Sequence, residues 1–387
     1  MNFRYSSEQE AFRREIREFL ASEKELCEKA MREEENGSMG KYTEEIRLRA
    51  GAKGYLTPSW TKKWGGLEKS HFEKYIVAEE MAYAIGAGAH GTGEGMAGPV
   101  IMLYGSEEQK EEFLPRIARG EIEFALGYSE PEAGSDLAAL QMRAVKNGDH
   151  YIINGQKVFN TACHYAQYHW LAVRTNPNVP KHLGISMFIV DMNSPGITVK
   201  PMYGMAGVRT NEVFYDDVKV PASRLVGQEN KGWEYLTAAL AFERNWQVGY
   251  VIYQLEKFVE YCKNTRRDGK LLIDDPLVRE DLAQIAIDLE VSRLFGLRNA
   301  CMIEKGNIPM GEAAIAKVFG SDLWHRMFDK WMKILSLYGQ LEADSECAIM
   351  ESRVMQWYFL ASRSTITRGT NEIMRNMIAI RGLGMPR

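Results

Sequence analysis

The stretch "GYSEPEAGSD", Gly127 to Asp136, puts three acids, two serines and two glycines into ten residues. It follows "EIEFAL", residues 121–126, which reads as a strand. An acidic loop repels phosphate, yet its Gly and Ser content suits main-chain amides and hydroxyls wrapped around an anion. Both properties hold if the acids turn away and brace the loop while the amides face outward.

Outward from this loop, the chain divides by hydrophobic period. Before it, from Ser6 to about Ala118, the pattern is helical: Phe12, Ile16, Phe19 and Leu20 recur at helical spacing behind Ser6-Ser7, and Ser106 opens another helix that ends at Gly120. From Glu121 the period shortens. "YHWLAVRT", "ISMFIVD", "ITVKPM" and "EVFYDDVKV" read as short strands, and Asn154-Gly155 in "HYIINGQKVF" is a hairpin signal. After Gly227 long helices return, beginning with a run from Gly232 to Arg267 that reads as continuous. The expected fold is α+β, with a helical domain over 1–120, a β-barrel-like domain over 121–227 and a helical bundle over 228–387. Such bundles often supply subunit interfaces.

Composition narrows the function classes. A net charge of -4 with 26% charged residues gives no basic face for nucleic acid. The five cysteines are scattered without a C-x-x-C pair, which argues against a zinc site or a disulfide framework and for a reducing compartment. The N-terminus has no apolar core of signal-peptide length, and no run is long enough to span a bilayer. A soluble, cytoplasmic protein of two or three domains is the expectation.

The order of motifs resembles the acyl-CoA dehydrogenase family of flavoproteins over essentially the whole chain. "GYSEPEAGSD" is similar to that family's T/S-E-P-x-A-G-S-D loop, and "NGQKVFNT" to its G-x-K-x-W-I-T/S segment. "NKGW" and the terminal "RGTNEIMRNMIAIRGLG" match as well, in the family's order and spacing. The resemblance implies that the loop lies against FAD. Leu126, Tyr128 and Ser129 would line the isoalloxazine, and Ser135 would sit by the pyrophosphate and CoA. Phe159 stands where relatives usually carry Trp, with Asn160 and Thr161 beside it. Cys163 and His164 read as loop residues rather than a catalytic pair. Thr370 and Glu372 would border the ribityl-adenosine side. The C-terminal domain is expected to be a four-helix bundle.

The reaction implied is removal of an α-proton from an acyl thioester with hydride leaving the β-carbon. It requires a carboxylate in a dry site, where desolvation raises its pKa towards the working range. Many members place that Glu just before G-T near the C-terminus, a position held here by Arg368. A second group, including isovaleryl- and long-chain-type enzymes, carries it in an E-R pair on the first long C-terminal helix. Glu243-Arg244 stands eleven positions after Gly232, as in that group, which makes Glu243 the expected base. The main-chain amide of residue 368 would still serve the thioester carbonyl, and the Arg368 side chain would pair locally or meet a substrate carboxylate.

Two departures bear on assembly. "NTRRDGK" replaces the usual R-x-x-F-G, leaving Arg266 or Arg267 as the cross-subunit FAD contact, and "SLYGQL" puts Ser336 in place of a Gln. Both resemble a bacterial branch acting on bulky or cyclic acyl-CoAs, some of whose members are mixed tetramers. The expected partners are an acyl-CoA, an electron-transfer flavoprotein, and either further copies or a related chain in a tetramer. The competing expectations are a flavin-poor binding subunit and another reaction on the same fold, such as an oxidase, hydratase or enoyl reductase.

Overall fold

The computed structural model describes residues 4–35, 39–243, 248–307 and 309–386, apart from the side chains of 34, 35, 87 and 241–243. The N-terminal part is helical: α1 (Ser7–Ser22), α2 (Lys24–Glu35), α3 (Lys41–Ala52), α4 (His71–Ile85), α5 (Gly98–Tyr104) and α6 (Glu107–Ala118). Ser6, Ser70 and Ser106 start α1, α4 and α6 with reciprocal capping boxes, to Gln9, Glu73 and Gln109. Each box satisfies two main-chain donors that a helix start otherwise leaves open. The apolar stripe Phe12, Ile16, Phe19 and Leu20 is buried, as its spacing requires.

The strands that follow are β1 (Phe124–Gly127), β2 (Arg143–Asn147), β3 (His150–Lys157), β4 (Tyr168–Arg174), β5 (Ile185–Asp191), β6 (Ile197–Tyr203), β7 (Arg209–Pro221) and β8 (Leu225–Val226). They form one sheet in the order β6-β7-β3-β2-β4-β5-β8, with β1 parallel to β4. The central strand β4 is apolar on both faces because both are covered. Trp170 and Ala172 pack with Phe113, Leu114 and Ile117 of α6, while Leu171 and Val173 pack with Tyr151, Phe188 and Val213 inside the sheet domain.

The Asn154-Gly155 signal is a correction. Those residues lie within β3, where the pairing with β7 shifts register between Ile153 and Gly155. Gly155 takes φ +141, and a Cβ there would meet Met142 at 2.8 Å. Asn154 exchanges hydrogen bonds with Asp217 on β7: its Nδ2 donates to Oδ1 at 2.9 Å, and its Oδ1 accepts from the Asp217 amide at 2.8 Å. The pair therefore builds a bulge. The β2–β3 turn falls at Asn147-Gly148-Asp149, with Gly148 at φ +63.

The C-terminal part contains α7 (Gly232–Glu243), α8 (Gly249–Asn264), a short hairpin of β9 (Arg266–Arg267) and β10 (Lys270–Leu271), α9 (Pro276–Glu304), α10 (Met310–Leu335), α11 (Arg353–Ser364) and α12 (Asn371–Met377). The run expected as one helix from 232 to 267 is thus α7, α8 and a strand, with residues 244–247 outside those described. Thr265 turns extended at ψ 133, and Asp268 and Gly269, at φ 51 and 78, close the hairpin. That Asp-Gly pair is the turn signal the sequence reading passed over. In the bundle core, Phe258 of α8 stacks on Trp331 of α10 with centroids 4.2 Å apart. Gly249 lets α8 touch α4, since a Cβ there would lie 2.0 Å from the Glu79 carbonyl oxygen.

Candidate active site

The loop after β1 resolves its own contradiction. Glu130 is buried, and its carboxylate accepts from Lys157 Nζ at 2.7 Å and from the amides of Gln141 and Met142 at 2.6 and 3.0 Å. Lys157, fully buried, also donates to the Tyr128 carbonyl at 3.1 Å. Burial pulls the Lys157 ammonium down to about 8, against the opposing pull of Glu130. Asp136 receives Lys181 Nζ at 2.7 Å. With these two acids engaged, Gly134 and Ser135 are exposed, and a Cβ on Gly134 would meet no atom within 4 Å. Gly127 is required for a different reason: a Cβ there would lie 2.5 Å from His169 Nε2 on the adjoining strand.

The second expected contact segment is tied to the first, because the Val158 amide donates to the Ser129 carbonyl at 2.9 Å. Phe159 takes φ +60 and presents a ring 65% exposed. Its neighbours differ. Asn160 is buried, with Nδ2 donating to the Val158 carbonyl at 2.7 Å and its own carbonyl accepting from Asn211 Nδ2 at 2.7 Å. Tyr128 is buried under Trp170, whose Nε1 donates to its hydroxyl at 3.0 Å. The side chains of Tyr128 and Asn160 hold the fold, and so does the Asn160 main chain, whose amide donates to the Asn211 carbonyl at 3.0 Å. Thr161 is exposed, 3.5 Å from the Thr210 hydroxyl. Burial raises the Cys163 thiol, which keeps it protonated and inert.

A cavity of about 420 Å³ opens beside these loops. Leu126 and Arg368 both line it, although 242 residues separate them in the chain. Val77, Ala78, Met81 and Ala82 of α4, Gly95 and Met96, Tyr250 and Val251 of α8, and Asn299 and Ala300 of α9 complete much of its wall. A Cβ on Gly95 would meet nothing within 4 Å. Arg368 follows α11 in a turn, at φ +60. That turn is clamped from α10: Lys317 Nζ donates to the Thr365 carbonyl at 3.1 Å and to Asn371 Oδ1 at 2.7 Å, and Asn371 Nδ2 donates to Asp322 at 2.7 Å. Burial and then Arg368 bring Lys317 down to about 8. Thr370 caps α12 by accepting from the Ile373 amide at 3.2 Å, and Glu372 is exposed.

Glu243 is the last residue of α7, and its side chain lies outside those described. Arg266 is exposed in the β9–β10 hairpin, donating to the Gly269 carbonyl at 2.8 Å, and Arg267 donates to the Ile334 carbonyl. The cavity touches α8 at Tyr250 and Val251, and Arg266 lies past the far end of that helix, roughly 20 Å away at 1.5 Å per residue. Within one chain, Arg266 is not brought to the site.

One feature of the wall is invisible in the local sequence. Arg47 is buried and donates to both Glu94 oxygens at 2.8 and 3.0 Å and to Glu123 at 3.2 Å. The amides of Gly91 and Gly93 donate to Glu94 and Glu123 at 2.6 and 3.1 Å, so the cluster ties the N-terminal helices to the entry of β1. Burial pushes Glu123 up to about 7, with Arg47 opposing and Glu94 adding to the rise.

Two histidines set an acid limit on stability. Burial pushes His169 down to about 3 and His90 down to about 4. As pH falls below the ordinary histidine value of about 6.5, the unfolded chain binds protons that the folded chain refuses, so stability drops. The loss continues to about 4 for His90 and about 3 for His169. Glu123, raised to about 7, works in the opposite sense between 7 and the ordinary carboxylate range, and offsets one histidine. Between pH 6.5 and 5, His169 alone costs on the order of 2 kcal/mol. Denaturant midpoints across that range are expected to fall in the wild type and to fall less in His169→Gln. Equal slopes would show that His169 is not the group responsible.

Against known proteins, the chain matches the models for the acyl-CoA dehydrogenase N-terminal domain over residues 6–121, the middle domain over 125–218 and the C-terminal domain over 230–383. It is 37% identical to the acyl-CoA dehydrogenase FadE26 of Mycobacterium tuberculosis over 402 residues, covering 100% of this chain and 99% of the relative. Among solved structures, the ChsE4-ChsE5 complex from Mycobacterium tuberculosis superposes with a TM-score of 0.89 at 37% identity, over 100% of both chains. The Tcur3481-Tcur3483 steroid ACAD does so with a TM-score of 0.90 at 33% identity, again over 100% of both chains.

Proposed function

Since this chain belongs to the acyl-CoA dehydrogenase family and catalyses dehydrogenation of an acyl-CoA thioester, we propose that it does so with FAD, with Glu243 as the base and a bulky, ring-bearing acyl group as substrate. The observation that carries this reading is the meeting of Leu126 and Arg368 on one cavity beside a loop whose Glu130 and Asp136 are both taken by lysines. Bound FAD supplies the acceptor for the β-hydride. The residues fit such a group: an exposed Phe159 ring and half-buried Leu126 suit an aromatic plane, and the open main chain at Gly134-Ser135 suits a pyrophosphate.

The chain's own work is then positioning and proton transfer. Ser129, tied to Val158, would bond the flavin's pyrimidine edge, Thr161 would offer a second hydroxyl, and Ser135 would serve FAD and CoA. Thr370 and Glu372 border the ribityl-adenosine side. Glu243 removes the α-proton, and the main-chain N–H of Arg368 steadies the thioester carbonyl as negative charge develops there. The apolar wall excludes water, which strengthens both interactions. Electrons leave to an electron-transfer flavoprotein.

The size of the acyl group follows from the wall. Ala78, Ala82, Ala89, Gly91, Gly95 and Ala300 are small, and about 420 Å³ suits a drug-sized ligand. The structural likeness to a steroid ACAD supports the same class. Gly95→Leu would add its side chain where a Cβ meets open space. It is expected to lower kcat/KM for a polycyclic acyl-CoA on the order of 10²-fold, with a smaller effect on short linear thioesters. Equal losses on both would refute the bulky-acyl assignment.

Assembly is proposed as a tetramer, of this chain alone or with a related one, in the cytoplasm. Leu337, Tyr338 and Ile366 leave 75, 55 and 65% of their surface exposed near the helical end of the molecule, which suits a subunit contact. Arg266 or Arg267 would reach a neighbouring FAD there. No helix among the described residues is long and apolar enough to cross a membrane. The direct test is the purified chain, alone or with a related partner: it should be yellow, release FAD on denaturation, and reduce an artificial acceptor with an acyl-CoA. A colourless protein that FAD does not reconstitute would overturn the cofactor assignment.

A further inference from the structure

The cavity has polar groups that the chemistry at the thioester does not use. Asn299 on α9 lines it and is 2% exposed, yet neither Nδ2 nor Oδ1 has a hydrogen-bond partner among the described residues. A buried amide left this way forfeits its hydration without return, so it marks a place where something else completes the bonding. Lys74 on α4 lines the same cavity, and its ammonium makes no hydrogen bond or ion pair with another described residue; Glu94 attracts it only from a distance.

The two are brought together by the packing of α4 on α9. At one point a Cβ on Gly296 would lie 2.4 Å from the Tyr75 ring, and at another the His71 amide donates to Glu304 at 2.8 Å. Lys74 lies between 71 and 75 on one helix, and Asn299 lies between 296 and 304 on the other. His90 lines the cavity as well; its Nε2 lies 3.2 Å from the Ala78 carbonyl, so that nitrogen carries the proton and donates. Arg47 does not compete for a ligand here, since Glu94 and Glu123 occupy it.

The surroundings decide what this wall binds. Ala78, Met81, Ala300 and Ile303 supply apolar surface beside the Lys74 ammonium and the Asn299 amide; His71, His90 and Glu94 line the cavity as well, Glu94 being held by Arg47. An ammonium and an amide suit a neutral or an anionic acceptor. We infer that the Lys74–Asn299 wall binds an acceptor oxygen carried by the acyl group itself, a ring ketone or a carboxylate remote from the thioester, and so selects oxygenated acyl groups over hydrocarbon ones. This rests on the proposal of a bulky acyl-CoA substrate.

The test uses the FAD-loaded protein and matched polycyclic acyl-CoA thioesters: one with a distal ring ketone, one with a distal carboxylate, and one with neither. The wild type is expected to favour at least one oxygenated member over the plain one by on the order of tenfold to a hundredfold in kcat/KM, the range of a hydrogen bond to a charged donor. The ratio should fall towards one in Lys74→Met and, independently, in Asn299→Leu, with thermal midpoints measured to confirm folding. The favoured arm tells ketone from carboxylate. A wild type indifferent to the oxygen, or a preference surviving both substitutions, overturns the inference. If polycyclic thioesters fail altogether while linear ones react, it is the bulky-acyl reading that fails; linear chains with and without a distal ketone or carboxylate then decide the inference by the same ratio.

Discussion

Glu243→Gln is expected to leave the fold, the FAD content and thioester binding intact while nearly stopping reduction of the flavin by substrate in a single turnover. Glutamine keeps the size and removes the base, and loss of a positioned general base costs on the order of 10²–10⁴ in rate. The usual alternative position offers no substitute, because residue 368 is Arg, held in the turn after α11 by the Lys317–Asn371 clamp. Arg368→Gln should therefore change the chemical step far less, since it keeps the main-chain amide. A thioester should still perturb the flavin spectrum of the Glu243 variant, which separates lost chemistry from lost binding. Reduction of that variant's flavin near the wild-type rate would place the base elsewhere.

The second large effect concerns stability. Lys157→Met removes a fully buried ammonium and leaves the Glu130 carboxylate, 8% exposed, facing a methyl group. Breaking one side of a buried ion pair costs on the order of 3–5 kcal/mol, because the remaining charge is left without compensation. The loss should appear as a lowered unfolding midpoint and weaker FAD retention, because Lys157 also holds the Tyr128 carbonyl at the root of the loop. Adding Glu130→Leu should recover part of the stability by removing the stranded charge. Recovery should be incomplete, since the Gln141 and Met142 amides lose their acceptor. An unchanged midpoint in Lys157→Met would show that the pair does not hold the loop.

By itself the sequence determined what depends on local pattern. Period distinguished helical from extended stretches, and the serines at 6 and 106 marked helix starts through groups three residues away. The mixed character of 127–136 implied acids that brace the loop; Glu130 does so from a buried position through Lys157, and Asp136 at the surface through Lys181. Motif order implied the family before any coordinate was known. Where the local signal had two physical outcomes, it misled: Asn154-Gly155 suits a turn and a bulge equally, and the hydrogen bonds to Asp217, 63 residues on, chose the bulge. The continuous helix expected from 232 to 267 failed at its end, where Thr265 turns extended and Arg266–Arg267 enter a hairpin closed by Asp268-Gly269.

Only the tertiary structure decided which charges are partnered. Arg47 finds Glu94 and Glu123 across 47 and 76 residues, and Lys317 finds the turn beside Arg368 across 48. Tyr128 and Asn160, named as flavin contacts from their motifs, turn their side chains into the fold: Trp170 on another strand holds the Tyr128 hydroxyl, and Asn160 Nδ2 donates to the Val158 carbonyl while Asn211 on β7 holds its main chain. Lys74 and Asn299 carry no local signal of a shared site, being 225 residues apart. They become the polar wall of a cavity because α4 packs against α9, a contact made by Tyr75 and Gly296. Helix period and capping are written within a turn or two of chain. The burial that leaves an amide unmet, or a lysine on a cavity wall, depends on which distant surfaces meet.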